Sequence, residues 1–191
     1  MKKLGLLLLV VITSLLTACA GNVSAQTEET TPKSVIEEVT TTATVEVVPH
    51  NPPASCPLTV PQDPAFTPPA PYDSLGFKGY FWFGSNSLWT SIPDDGIWYA
   101  LPHNPEGYTQ KVFWWRDGYV WDQEPQPNLI VTGERIDEFA PPLNVSRATN
   151  AYASDIGSAM LVGVDFPTLG CWKIKGKYKD TELSFVIWVA P

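Results

Sequence analysis

The sequence predicts an all-β domain, a sandwich or barrel of short antiparallel strands. Three observations lead there. After Leu75 the chain alternates short aromatic or β-branched runs with Gly, Pro, Asn and Asp, which is the punctuation of strands and tight turns. No segment keeps a long apolar pattern of helical period, and the stretch from Cys171 to Ala190 alternates residue by residue, as half-buried strands do.

Strands are predicted over residues 79–83, 88–92, 97–101, 110–116, 128–135, 143–147, 158–165, 171–178 and 181–190, with a helical turn over 148–156. Asp94-Asp95-Gly96 stands between the second and third of these runs, and Asp-Gly is a favoured hairpin turn. It lacks the alternating oxygen ligands of a calcium loop. Leu101-Pro102-His103-Asn104-Pro105 reads as another turn.

The last two runs fix their own register. Trp172, Ile174, Gly176 and Tyr178 fall on one face of their strand, and Lys173, Lys175, Lys177 and Lys179 on the other. With Lys179-Asp180 as the turn, Trp172 meets Ile187, Ile174 meets Phe185 and Lys177 meets Glu182. A slip of one residue would place the apolar set on the wrong face. Cys171 then lies opposite Trp188 on the lysine face, where an indole needs cover.

At the other end of the chain, Lys2 and Lys3 precede an apolar run from Leu4 to Leu16 that is shorter than the roughly 20 residues of a membrane span. The run ends in Leu16-Thr17-Ala18-Cys19. This order of basic head, apolar core and terminal thiol resembles the lipobox signal of bacterial lipoproteins. The resemblance covers only the targeting segment and implies cleavage before Cys19, which would receive diacylglyceryl and an N-acyl chain, enough for a stable anchor. An ordinary secretory signal cleaved after Ala18 or Ala20 is the alternative, and it leaves an odd thiol.

Residues 1–18 are thus expected to be the signal peptide and residues 19–54 a lipidated, disordered tether. Glu28, Glu29, Glu37, Glu38 and Glu46 against Lys33 make the tether self-repelling. A β-sandwich domain follows over 55–191. Its start is proline-rich: Pro49, Pro52, Pro53, Pro57, Pro61, Pro64, Pro68, Pro69 and Pro71 fix φ and lack amide donors, so this stretch reads as an extended strap and not as core sheet.

Of the three cysteines, lipidation takes Cys19 and leaves an even pair, Cys56 and Cys171, in a compartment where disulfides persist. Joined, they would hold the strap over Trp188. Two buried free thiols are the alternative. A metal pair is disfavoured, because His50 and His103 are the only histidines and neither stands at ligand spacing from a cysteine.

Gly170-Cys171-Trp172 and the Leu183 to Val189 run resemble the last two strands of immunoglobulin-like sandwiches. That likeness implies an antiparallel immunoglobulin-like β-sandwich, although the family's early-strand cysteine has no counterpart here. The ending also resembles bacterial lipoproteins that carry no established activity.

The formal charge of −8 argues against nucleic acid as a partner. No Gly-x-Ser-x-Gly elbow or phosphate loop occurs, and no cofactor or metal is implied. Asp117, Asp122, Glu124, Glu134, Asp137 and Glu138 are the acids from which a hydrolytic pair could be drawn. Aromatic density stands above background: Trp82, Trp98, Trp114, Trp115 and Trp121, with Tyr80 and Tyr119, would form a sugar-stacking or protein-binding surface. Alternatively, loops and the segment 119–128 cover them as a second core layer.

The expected protein is therefore a membrane-anchored extracytoplasmic lipoprotein with a binding or interaction domain and no catalysis of its own. Its partner would be an envelope protein or glycan. A carbohydrate-binding module or carbohydrate-active enzyme of the envelope is the rival reading.

Overall fold

A computed structural model describes residues 48–191. The expected signal peptide, Cys19 and most of the expected tether lie outside the described residues. Eleven strands are described: β1 Tyr80–Ser85, β2 Leu88–Pro93, β3 Ile97–Trp98, β4 His103–Asn104, β5 Gly107–Trp115, β6 Leu129–Arg135, β7 Asn144–Val145, β8 Thr149–Ala153, β9 Gly157–Phe166, β10 Gly170–Tyr178 and β11 Thr181–Val189. They form a β-sandwich. One sheet runs β1-β2-β5-β9-β7, with β4 added to β5 and β8 to β9, and the other runs β3-β11-β10-β6. Every pairing is antiparallel except β3 with β11.

The terminal hairpin adopts the expected register. Trp172 pairs with Ile187, Ile174 with Phe185, Lys177 with Glu182 and Cys171 with Trp188. Lys179 takes a φ of 53° in the connecting turn, and the Glu182 carboxylate sits 3.4 Å from the Lys175 ammonium and 3.8 Å from that of Lys177. Inward-facing residues of both sheets make one core, which includes Trp98, Trp114, Tyr119, Phe166, Trp172 and Phe185.

Three sequence expectations are corrected. Residues 148–156 hold no helical turn; β8 runs along the open edge of β9, pairing Thr149 with Leu161 through Ala153 with Gly157. A neighbouring strand with unpaired backbone outweighs local preference, and Gly157, at φ +64°, closes the turn.

Second, Asp94-Asp95-Gly96 does form a tight turn, with Gly96 N–H donating to Pro93 O at 2.8 Å and Ile97 N–H to Asp95 Oδ1 at 3.0 Å. Yet it makes no hairpin, because β2 and β3 belong to different sheets. The chain crosses the sandwich there, and Gly96 at φ +70° supplies the left-handed step. Third, the strand expected over 97–101 stops at Trp98, since Ala100 takes a φ of 47°.

The Pro-rich strap lies against the outer faces of both sheets. Cys56 and Cys171 are joined, their Cα atoms 5.8 Å apart. Around the bridge, Val48, Leu58, Ile97, Val186, Trp188 and Ala190 form a small outer cluster. Trp188 Nε1 donates to Pro49 O at 3.3 Å, and Thr59 exchanges two hydrogen bonds of 2.9 Å with the Val186 backbone. The indole opposite the cysteine is thereby 2 % exposed, and the packed strap starts at Val48, ahead of residue 55.

Farther along, Phe66, Tyr72, Leu75 and Phe77 cover Trp89, Trp115 and Trp82 on the outer face of the other sheet. Tyr72 O–H donates to Ser158 O, and Trp82 Nε1 to Leu75 O. The second aromatic layer anticipated from consecutive tryptophans therefore exists. Its cover is the segment before the strands, and not the segment 119–128.

Between the end of β6 and the start of β10, Arg135 is gripped by acids. Its guanidinium lies 2.8 Å from Asp137 and 2.9 Å from Glu138, and Asp137 Oδ1 also accepts the Cys171 N–H at 3.1 Å. Burial pushes the Asp137 carboxyl up, but the Arg135 hydrogen bond and the Cys171 amide outweigh it, holding the group below its ordinary value.

A depressed folded value means that this contribution is complete above the unfolded value of about 3.9 and is lost as pH falls through the folded value. Urea unfolding as a function of pH should then show stability falling on the acid side of pH 4. Asp137→Asn should lower stability at neutral pH and flatten that acid slope. An unchanged slope would leave Asp137 without a role in it.

Candidate functional site

The structure separates the five candidate tryptophans. Trp98, Trp114 and Trp115 are buried: the first two face the inner core, and Trp115 faces outward beneath the strap. A binding surface built on these three is therefore corrected to core packing, as expected of indoles that both faces of a strand enclose. Trp82 is half-buried against Trp115, ring centres 5.0 Å apart and edge to face. Trp121 remains on the surface, at 39 % exposure.

Trp121 belongs to the loop of residues 116–128 that links β5 in one sheet to β6 in the other. Its ring stacks on Tyr152, centres 5.6 Å apart and planes 22° from parallel. Tyr152 comes from β8 and is itself exposed. Asn150 on the same strand ties the loop down: its Nδ2 donates to Trp121 O at 2.6 Å, and its N–H donates to Pro125 O at 3.1 Å. Tyr152 is not among the sequence candidates, because its strand reads locally as a helical turn.

Beside this stack the loop meets the β10–β11 turn in an open cleft of about 500 Å³ lined by Arg116, Tyr119, Glu124, Tyr178 and Lys179 among others. The chemistry is that of an aromatic floor between cations. The Arg116 guanidinium is 5.7 Å from the Tyr178 ring centre, and the Lys179 ammonium is 5.2 Å from it, within cation–π range.

Glu124 is held from two sides. Tyr178 O–H donates to its Oε2 in a short hydrogen bond, and the Glu124 carbonyl accepts Tyr119 O–H at 3.0 Å. Burial, then the Glu124 carboxylate, pushes the Tyr119 hydroxyl up to about 12. The same two causes raise Tyr178 further. Both phenols stay protonated across the physiological range, so they serve as hydrogen-bond donors.

Most of the remaining acids divide between the cleft, the Arg135 cluster and an outer strand face. Asp117 lines the cleft with Glu124. Asp137 and Glu138 are engaged with Arg135 near the opposite end of β10. Glu134 pairs across the strands with Lys173 on the outer face. His103 packs edge to face on Tyr108, ring centres 4.6 Å apart. Among the described residues, no three of His, Cys, Asp and Glu gather in a metal-holding group.

Comparison of the chain with protein-family models, curated proteins and solved structures found no match in any of the three.

Proposed function

We propose that the protein is an extracytoplasmic lipoprotein, anchored to a bacterial membrane by acyl chains on Cys19. Its immunoglobulin-like domain binds an envelope partner without catalysing a reaction. Support for the domain type comes from strand order. Taking β2, β5, β6, β7, β9, β10 and β11 as the seven strands of that fold, one sheet has the first-second-fifth-fourth order and the other the third-sixth-seventh that immunoglobulin sandwiches have. β3 extends the first strand into the second sheet, and β1 is an added edge.

The observation that carries the binding reading is the place of the cleft. It lies where the loop 116–128 meets the β10–β11 turn, the end whose loops bind ligand in antibody variable domains. Pro49, where the strap enters, is bonded to Trp188. From there to Thr181 beside the turn are seven strand residues, roughly 23 Å at about 3.3 Å each. The described strap thus begins away from the cleft. The Cys56–Cys171 bridge fits the oxidising side of a membrane.

Two measurements test this. Wild-type protein should fractionate with membranes and carry the mass of a triacylated Cys19, whereas Cys19→Ser should stay unacylated. Crosslinking from native membranes should then recover a partner that Trp121→Ala or Arg116→Ala loses. An unacylated wild type, or recovery indifferent to both substitutions, would overturn the reading.

A further inference from the structure

A second opening lies at the place where the first strand changes sheets. β2 pairs with β5 only at Trp89 with Trp115 and Thr90 with Trp114. Beyond Thr90 the two part, and the Thr90 hydroxyl donates to Phe113 O at 2.8 Å in place of a further ladder rung. The gap opens a slot of about 260 Å³ through the sheet, lined by Phe77, Tyr80, Ser91, Trp98, Gln110 and Phe113 among others. It continues into a second opening of about 330 Å³ that shares Tyr80, Trp98 and Gln110 and adds Asp95 and Tyr99.

The lining has a definite chemistry. Aromatic rings form the walls, and at the rim Tyr80 is 41 % and Tyr99 50 % exposed. Hydrogen-bonding groups between them stand ready. Among the described residues, the Ser91 hydroxyl, the Gln110 amide nitrogen and the Lys111 ammonium have no partner, the Gln110 oxygen alone being taken by the Lys111 N–H at 2.9 Å. Asp95 supplies a carboxylate that already accepts Tyr99 O–H at 3.2 Å. One cation and one carboxylate leave the lining without net charge.

Flat apolar walls, several open donors, one strong acceptor and no net charge match a ligand with an apolar ring face, a girdle of hydroxyls and no charge of its own. We propose that this slot binds a pyranose ring of a neutral glycan, stacked at Tyr80 and Tyr99 and hydrogen-bonded by Gln110, Ser91 and Asp95. The proposal rests on the reading of the domain as a binding module, but not on the distal cleft. It deepens the carbohydrate alternative by giving it a place.

Titration calorimetry of the disulfide-intact domain with cellohexaose, chitohexaose and maltohexaose tests it. At least one should bind, and Tyr99→Ala and Gln110→Ala should each weaken that binding tenfold or more. Tyr99→Phe, which keeps the ring, should weaken it less than Tyr99→Ala. Both positions are at least partly exposed, so melting curves should match wild type and separate lost binding from lost fold.

Trp121→Ala should leave glycan binding intact. No heat with any of the three sugars, or binding unmoved by Tyr99→Ala and Gln110→Ala, overturns the slot proposal. If Trp121→Ala abolishes glycan binding instead, the slot proposal fails while the distal cleft and the module reading stand.

Discussion

Replacing Cys56 and Cys171 together by serine should destabilise the domain by about 4–5 kcal/mol, the chain-entropy cost of opening a loop of this length. The sequence separation of 115 residues makes the cross-link restrictive for the unfolded chain. Against a total stability of about 5–15 kcal/mol for a typical domain, that is a large share. Two signatures should accompany it. The urea dependence should steepen, since the uncrosslinked denatured chain exposes more surface, and Trp188 should become accessible to acrylamide as the strap loosens. Equal urea midpoints with and without reductant would exclude the effect.

The second large effect is expected in the core at Trp114, which is wholly buried between the sheets and tilted against Phe185 at 5.8 Å. Trp114→Ala should cost about 3–5 kcal/mol through lost burial and the cavity left behind. Its partner is Gly176. A Cβ there would fall 2.5 Å from two atoms of the Trp114 six-membered ring, so Gly176→Ala alone should cost about 1–3 kcal/mol by overpacking. With the indole gone that clash disappears. The double mutant should therefore be more stable than the sum of the singles predicts, with a coupling of about 0.5–3 kcal/mol. Additive costs from chemical denaturation would mean that the indole does not dictate glycine at this position.

Gly176 also lies in the part of the fold most legible in the sequence, the terminal hairpin. Its strand alternates large apolar residues with lysines, and the facing strand places apolar opposite apolar and Glu182 opposite Lys177, so a single register satisfies both. The cysteine pair was legible for a different reason, as what remains once the lipobox resemblance claims Cys19. Trp114 and Trp115 were legible as a demand: neighbours on a strand face opposite sides, so both sides need cover.

What supplied that cover could not be read. Phe66, Tyr72, Leu75 and Phe77 lie within or just after the proline run, with no period to announce which face they meet. The crossing at Gly96 was hidden because a turn signal is local and carries no information about which sheet receives the next strand. Residues 149–153 were misjudged because the vacant edge that recruits them belongs to β9, a property of the assembled sheet. The candidate site shared this limit. Trp121 could be named from the sequence, whereas Tyr152, Tyr178 and Tyr99 acquire meaning only from the strands and turns that bring them beside it or beside the slot.

The strap's route has a consequence for how the protein is made. The strap segment from Val48 to Leu58 has its seat on Trp188 and Ala190, far later in the chain, and β3 likewise finds its partner in β11. Neither can be seated before β11 has been synthesised. During synthesis the strap and β3 thus wait, unseated, while all the intervening strands are added.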